Sequence, residues 1–281
     1  MRKTDKKIPT HEYCEDGSDA VNSCPGWRKF VDLGFRLARL IYSPPSRIPR
    51  DTWRNFSILL RWLRERARFS GDRDSHLVIN LGSGRGGEGF SILARDKDVQ
   101  CLCMDLKIDG GADVVADIHQ VPIADSVASL VVLQAVLEHV PDPERVLSEA
   151  YRILMDGGVI YVEIPFMQGY HADPEDYRRL TGPGLKMALE KSGFEVVTHG
   201  PTGGPGAGLM AVVRAFLLGF FRKGILRHIA TPVVRWATLP LLMVDMAYGH
   251  RKNQVVAPGF YAMGVKSHNS LHDSLTGNLQ P

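Results

Sequence analysis

Between residues 77 and 199, short apolar segments alternate with polar or helical stretches, and this alternation constrains the fold more than any other feature of the sequence. Each apolar run has the length of one buried strand. The runs are Leu77–Leu81, Val99–Met104, Val114–Ala116, Leu130–Leu133 and Val159–Ile164. Because strands that alternate with helices form parallel sheets covered on both faces, the sequence predicts a doubly wound α/β fold.

Shifts in composition divide the 281 residues around this predicted sheet. The length suits one large domain or two small ones. The predicted parts are a flexible N-terminus (1–25), a helical cap (26–75), the sheet core (76–200), a helical basic-hydrophobic insertion (201–257), a final strand (258–266) and a disordered tail (267–281).

Helical periodicity and end signals predict where the helices lie. The predicted helices cover Trp27–Tyr42, Asp142–Met155 and Gly184–Ser192, with a further amphipathic helix that Asp51 caps. We expect Gly157-Gly158 to close the second of these, because glycine favours the position just after a helix. Residues 201–208 are rich in glycine and proline, which predicts a flexible loop.

Cysteine content and charge limit the compartment and the partners. The four cysteines (Cys14, Cys24, Cys101 and Cys103) are too few for a disulfide framework, and no secretion signal opens the sequence, so we expect a reducing, cytoplasmic setting. Cys101 and Cys103 are expected to fill the core, and no metal site is expected. The net charge of +3 combines an acidic centre with basic ends, which suit anionic surfaces.

A glycine-rich loop directly follows the first predicted strand. Gly82, Gly84 and Gly87 fit the G-x-G-x-x-G spacing of a dinucleotide site, so NAD is one candidate ligand. Asp105 ends the second strand 21 residues after Gly84, at the separation where an acid reaches a ribose hydroxyl. At this point the pattern predicts a nucleotide-type cofactor without deciding which one.

Four further segments resemble the class I S-adenosylmethionine-dependent methyltransferases of the type 11 kind. They begin at Asp117-Ile118-His119, Ser129-Leu130-Val131, Ala135-Val136-Leu137 and Glu149-Ala150-Tyr151, and the likeness covers about residues 77–199. The resemblance implies a Rossmann-like, mostly parallel sheet of seven strands with the last strand antiparallel, and S-adenosylmethionine as the cofactor. It also implies cofactor contacts at Asn80, Gly82, Ser83, Gly84, Asp105, Leu106, Asp117, Ile118, Gln134 and His139.

Asn80 departs from this pattern, since many relatives have Asp or Glu there. The amide keeps an acceptor oxygen and loses the charge, which weakens its hold on the cofactor's ammonium group.

The predicted acceptor side follows the fifth strand. Residues 171–181 are similar to a His-x-x-Pro-x-Asp-Tyr/Phe-x-Arg-x-Thr segment of a subgroup often found in polysaccharide and secondary-metabolite settings. His171 could take the proton of an attacking hydroxyl while Asp176 orients it. The alternative is that His171, Asp176 and Arg179 form a structural hydrogen-bonded knot.

The resemblance predicts methyl transfer to a small-molecule or glycan-type acceptor, more readily at oxygen than at nitrogen. Nucleic acid is disfavoured, because Leu133-Gln134-Ala135-Val136 stands where nucleic-acid enzymes of this superfamily carry Asn/Asp-Pro-Pro-aromatic or Pro-Cys segments. The alternatives are an NAD-dependent oxidoreductase and an inactive, cofactor-binding scaffold or membrane-associated protein.

A long connection separates the last two predicted strands, Phe194–Thr198 and Gly259–Val265. Long connections are usually functional. Within it, residues 209–247 mix aromatic and aliphatic side chains with five cations: Arg214, Arg222, Lys223, Arg227 and Arg235. The two interpretations are a lid over the acceptor pocket and an interfacial element that binds a membrane or a lipid-linked acceptor.

Overall fold

The computed structural model describes residues 50–70, 76–84, 87, 89–107, 111–221, 224–248 and 256–267. Several predicted features lie outside the described residues: the N-terminal segment, the helix over Trp27–Tyr42, the cations Arg222 and Lys223, and the tail from residue 268. All described residues belong to one compact unit, 44–281.

Seven strands form one sheet in the order β3-β2-β1-β4-β5-β7-β6. They are β1 His76–Leu81, β2 Val99–Asp105, β3 Val114–Val115, β4 Ala128–Gln134, β5 Leu154–Pro165, β6 Glu195–Pro201 and β7 Gly259–Val265. β1 pairs in parallel with both β2 and β4, whereas β7 runs antiparallel to β5 and β6. The predicted mostly parallel sheet with an antiparallel last strand is confirmed.

Helices cover both faces of the sheet, and an insertion of short helices precedes β7. They are α1 Arg50–Ser70, α2 Ser91–Ala94, α3 Pro143–Ile153, α4 Gly182–Lys191, α5 Pro205–Gly219, α6 Ile225–Ala237, a 3₁₀ turn Leu239–Leu241 and α7 Leu242–Tyr248. Asp51 lies inside the first turn of α1 and does not precede it, so the predicted cap position is wrong by a residue or more.

Two apolar clusters fill the space on the two sides of the sheet. On one side, Val146 and Leu147 of α3 and Leu185 of α4 pack against strand residues. On the other, Phe56 and Trp62 of α1 are buried with residues of β1, β4, β5 and β7. The helix α1 therefore packs on the sheet and forms a layer of the fold.

The connecting helix before β5 is shorter than its sequence predicts. Asp142 caps it as expected, accepting a hydrogen bond of 3.0 Å from the Arg145 amide, but the helix ends at Ile153. Gly157 and Gly158 lie inside β5, where Gly157 adopts φ of +68° and its amide donates to Lys266. Both glycines therefore belong to the strand and not to the helix end, because β5 starts at Leu154, directly after the helix.

The predicted flexible loop at 201–208 is wrong for its second half, because α5 begins at Pro205. Gly206 and Gly208 are buried, and a Cβ there would come within 2.2 Å of the Leu241 oxygen and 1.9 Å of the Val256 oxygen, respectively. The glycines thus allow close packing of backbone rather than flexibility. In the described part of the chain, no helix combines the length and apolar character needed to cross a bilayer.

Candidate active site

The candidate site lies at the carboxyl ends of β1, β2 and β4, where open parallel sheets bind ligands. β4 ends at Gln134, and Ala135 follows with a positive φ of 54°. A left-handed residue other than glycine is strained, and such strain concentrates at functional sites. The turn directs the chain from β4 into residues 136–139, which form one wall of the site.

The glycine loop and the acid at the end of β2 are directly connected. The Gly84 amide donates a hydrogen bond of 2.8 Å to Asp105 Oδ2, and the Ser83 amide donates one of 2.9 Å to the Met104 carbonyl. Gly82 and Gly84 adopt positive φ angles of +68° and +50°. A Cβ on Gly82 would also lie only 2.7 Å from the Val136 side chain. The structure thus brings these predicted cofactor residues together.

The space beside this loop suits a nucleotide-type cofactor. A Cβ built on Gly84 would meet no atom within 4 Å, so the loop backbone borders open space. Asp105 accepts two amide hydrogen bonds and keeps acceptor capacity for hydroxyl groups. Next to it, the Leu106 side chain is 59% exposed and offers an apolar surface for a ring. The residues present therefore fit S-adenosylmethionine.

Other predicted cofactor residues differ in exposure. The Asp117 carboxylate is exposed and accepts from the backbone and ring of His119, which lower its pKa. Ile118 is buried in the core cluster. Asn80 and Ser83 are buried beside the Cys103 thiol; burial raises the pKa of that thiol, and the two polar side chains lower it less.

A buried polar network fixes Gln134, and sequence reasoning missed its centre, Glu163. Gln134 Nε2 donates 2.7 Å to Glu163 Oε2, and Thr52 of α1 donates 2.9 Å to Glu163 Oε1. Tyr161 also donates to Glu163, and Asn55 donates 3.2 Å to the Tyr161 hydroxyl. A carboxylate in the apolar run of β5 was the available signal, because buried charges need partners.

Three side chains of metal-binding or proton-transfer type converge on the acceptor side. Glu138 Oε1 lies 3.6 Å from His139 Nε2 and 3.8 Å from His171 Nε2. The two imidazole rings meet edge to face with centroids 5.2 Å apart. The predicted His139 and His171 are thus brought together, and Glu138 joins them.

Glu138 is fully buried, and among the described residues neither carboxylate oxygen has a hydrogen bond to another side chain or backbone group. Burial raises its pKa to about 7, and its own backbone amide, His171 and Arg179 offset this only in part. Sequence reasoning placed the segment beside the cofactor but missed this carboxyl group. Its burial depends on the loop that folds over it, which no local pattern reveals.

Asp176 holds the acceptor loop in place. Its carboxylate accepts from both terminal nitrogens of Arg179 and from the His171 amide at 2.9 Å. These contacts, led by Arg179, lower the pKa of Asp176. Asp176 Oδ2 lies 3.6 Å from His171 Nδ1, which is too far for a hydrogen bond to the ring. The predicted knot is present, whereas the predicted catalytic roles of His171 and Asp176 stay predictions.

The insertion packs against this loop. A Cβ on Gly169 would lie 2.7 Å from the Ala215 side chain, so α5 closely approaches the acceptor loop. Asp245 of α7 accepts from the Gly206 and Ala207 amides at the start of α5. Two of the predicted membrane-facing cations form hydrogen bonds within the insertion. Arg214 donates to Thr238 and to the Arg235 carbonyl. Arg227 donates to the carbonyls of Leu218 and Phe221.

Comparison with known proteins agrees with this geometry. Residues 79–162 match the Methyltransf_11 family, described as a methyltransferase domain. An arsenite methyltransferase from Halobacterium salinarum is 29% identical over 100 residues, which make up 31% of this chain and 25% of that protein. The match thus spans a quarter of that relative's length.

Two solved structures are also similar. One is a SAM dependent methyltransferase from Archaeoglobus fulgidus, with a TM-score of 0.45, 17% identity and coverage of 74% of this chain and 94% of that chain. The other is phosphoethanolamine N-methyltransferase 2 from Haemonchus contortus in complex with S-adenosyl-L-methionine, with a TM-score of 0.47, 15% identity and coverage of 76% and 52%.

Residues 79–162, which include the glycine loop and the Asp105 bonded to it, thus match a methyltransferase domain. A methyltransferase match favours S-adenosylmethionine over NAD, the other cofactor that the glycine spacing left open.

Proposed function

We propose that the protein transfers a methyl group from S-adenosylmethionine to a hydroxyl oxygen of a small-molecule or glycan-type acceptor. The observation that carries the proposal is the juxtaposition of two groups at one edge of the sheet. The glycine loop bonded to Asp105 lies at the ends of β1 and β2, and the cluster of Glu138, His139 and His171 follows β4.

On the cofactor side, the chain binds and orients. Asp105 accepts hydrogen bonds from ribose hydroxyls, the glycine loop lets the ligand approach the backbone, and Gln134 is held in position by Glu163. When bound, S-adenosylmethionine supplies a methyl group on a sulfonium, which is an activated leaving group. The reaction therefore needs little covalent help from the protein. Holding the two reactants in the correct orientation can lower the activation barrier by about 7–11 kcal/mol.

On the acceptor side, the chain holds a proton acceptor near the hydroxyl. The His171 side chain is 41% exposed at the site, and its Nε2 takes the proton that the hydroxyl loses as the carbon–oxygen bond forms and the carbon–sulfur bond breaks. Asp176 and Arg179 hold the His171 backbone, so the ring is positioned before the acceptor arrives. The insertion helix α5, packed on Gly169, helps to exclude water.

Titration and product analysis test this proposal. We expect S-adenosylhomocysteine to bind the purified chain by calorimetry while NAD does not. Incubation with methyl-labelled S-adenosylmethionine and a pool of small molecules and glycans should label an acceptor with an alkali-stable methyl ether. Binding without transfer to any acceptor would favour the inactive scaffold, and NAD binding alone would favour the oxidoreductase.

A second part of the proposal is that the insertion binds an anionic membrane surface, where a lipid-linked acceptor would lie. Large apolar side chains are exposed on α5, α6 and α7, among them Phe216, Phe220, Ile225, Leu226, Ile229, Val233 and Met243, each at least 60% exposed. Asp245, the only acidic residue between 201 and 257, is engaged by amides at the start of α5. An exposed apolar face with basic residues and little acid suits anionic lipid.

A further inference from the structure

We propose that Glu138, His139 and His171 form a binding site for one divalent transition-metal ion, with Glu138 Oε1 and the Nε2 atoms of both histidines as ligands. The sequence predicts no metal site, and His139 and His171 lie 32 positions apart with no local spacing that connects them. The fold brings the three ligand atoms within 4.8 Å of one another.

The distances are close to those of a coordinated ion. A tetrahedral ion with ligands at about 2.1 Å places its ligand atoms about 3.4 Å apart. Glu138 Oε1 lies 3.6 Å from His139 Nε2 and 3.8 Å from His171 Nε2. Closure by a few tenths of an ångström brings these two edges to that spacing, and the third edge, between His139 Nε2 and His171 Nε2, is at most 4.8 Å before an ion binds.

Hydrogen bonds leave Nε2 of each histidine available as a ligand. His139 Nδ1 lies 2.6 Å from the Glu175 carbonyl oxygen and His171 Nδ1 lies 3.1 Å from the Gly169 carbonyl oxygen. A carbonyl only accepts, so each Nδ1 carries the proton and each Nε2 has a free lone pair. Metal-bound histidines characteristically donate their second nitrogen to a carbonyl or carboxylate in this way.

Arg179 is the nearby cation that opposes this assignment. Its Nη2 lies 3.4 Å from His171 Nδ1, farther than the Gly169 carbonyl. Both terminal nitrogens of Arg179 bond to Asp176, so its charge is matched by that carboxylate. The charge beside the site is therefore compensated.

The Glu138 carboxylate supplies a second, independent observation. It is fully buried, and neither oxygen has a hydrogen bond to another residue in the part of the chain that the structure describes. A buried carboxyl group without partners is costly, and charged groups inside proteins are usually paired or bound to a metal. Both histidine Nε2 atoms face the same oxygen, so a cation among them would satisfy all three groups at once.

The ligand set defines the class of ion. Two imidazoles and one carboxylate suit zinc, cobalt, iron, nickel or manganese better than calcium or magnesium, which prefer oxygen ligands alone. Three protein ligands leave coordination positions open. If the proposed methyl transfer to a hydroxyl is correct, the acceptor oxygen can occupy one of them and release its proton to water. His171 Nε2 is then a ligand in the metal-bound chain and is the base only in the metal-free chain.

Cobalt titration of the full chain, stripped with a chelator and free of methyl donor and acceptor, tests the site. We expect one Co²⁺ per chain, with the intense visible absorption of a four- or five-coordinate ion, displaced by one equivalent of Zn²⁺. Glu138→Gln and His171→Gln should each weaken Co²⁺ binding by at least about tenfold. His228→Gln changes a histidine of α6 outside the cluster and should leave it unchanged.

Several results would overturn the site. Wild-type protein that binds less than one Co²⁺, gives only the weak spectrum of the hydrated ion, or loses binding equally in His228→Gln excludes it. The wild-type measurements need no variant, so a failure of Glu138→Gln to fold leaves the test intact. Since cobalt binding is measured without methyl donor or acceptor, failure of the site in this test leaves the proposed methyl transfer standing.

Discussion

Gly84 and Asp105, 21 residues apart, are joined by a hydrogen bond of 2.8 Å from the Gly84 amide to Asp105 Oδ2. The bond connects the loop after β1 to the end of β2, which are neighbouring parallel strands. Asp105 therefore shapes the loop, and in the proposed function its remaining lone pairs accept from the ribose hydroxyls.

Asp105→Ala is expected to weaken S-adenosylmethionine binding. Hydrogen bonds to a charged group contribute about 1.5–3 kcal/mol, so the dissociation constant should rise roughly 10- to 150-fold. Asp105→Asn should lose less, because its oxygen still accepts from Gly84. Calorimetry measures both variants, with circular dichroism as the check on folding. An unchanged affinity in folded Asp105→Ala would remove this residue from the site.

Most of the fold could be predicted from sequence because its strands are short apolar runs separated by clear breaks. The predicted strands at Val99–Met104 and Gly259–Val265 match β2 and β7 closely. The end of α3 could not be predicted, since Gly157-Gly158 fits a helix end as well as a strand. The hydrogen bonds of these glycines with Lys266, more than 100 residues later, place them in the strand.

The candidate site was predictable where its residues end a strand, as Asp105 and Gln134 do. Glu138 and Glu163 were missed because their importance arises from distant partners. Thr52 reaches Glu163 across 111 residues, and His171 reaches Glu138 across the acceptor loop. Such contacts depend on tertiary packing, which no spacing in the sequence expresses.

Glu163→Ala should destabilise the protein. It leaves Thr52, Tyr161 and Gln134 without the acceptor that they share in the core, and each unsatisfied buried donor costs about 1–3 kcal/mol. We expect the free energy of unfolding to fall by roughly 3 kcal/mol or more, and by less in Glu163→Gln, which retains an oxygen. Urea unfolding measures this. Glu190→Ala, which removes a surface ion pair with Lys186, is the control and should change little.

Glu149 should make stability depend on pH. Its hydrogen bonds with Arg152 hold the pKa of the carboxyl group below its usual value. The folded state therefore gains stability above the unfolded pKa, near 4.5, and loses it as pH falls through the lower folded pKa. Glu149→Gln should cost about 1 kcal/mol at pH 7 and show a weaker decline in acid. Parallel pH profiles for both proteins in urea unfolding would contradict this assignment.

His171→Ala should lower turnover by about 10²–10⁴-fold while S-adenosylhomocysteine affinity holds, because the residue acts on the acceptor and not on the cofactor. Asp176→Ala removes the partner of Arg179 and should lower thermal stability as well as turnover. Methyl transfer rates, calorimetry and thermal unfolding separate the two variants. A His171→Ala protein that loses stability and cofactor binding together would show that His171 only supports the loop.

Membrane association of the insertion should depend on its exposed apolar face. Phe220 and Ile225 are 72% and 73% exposed, at the junction between α5 and α6. The double variant Phe220→Ser and Ile225→Ser should lose sedimentation with anionic vesicles. Val127→Ser with Met187→Ser is the matched control, since both side chains are exposed outside the insertion. Equal binding by the two double variants would contradict the interface.

The charge of this insertion includes arginines that also hold its helices together. Arg214 and Arg227 donate to neutral backbone and side-chain oxygens within the insertion, which positions both guanidinium groups and leaves their charge in place. Arg222 and Lys223 directly follow Phe221 and the 72% exposed Phe220. Because each cation near an anionic surface contributes on the order of 1 kcal/mol, Arg222→Gln with Lys223→Gln should weaken vesicle binding roughly 30-fold at low salt. Binding that is the same for anionic and neutral vesicles, and insensitive to salt, would exclude an electrostatic contribution.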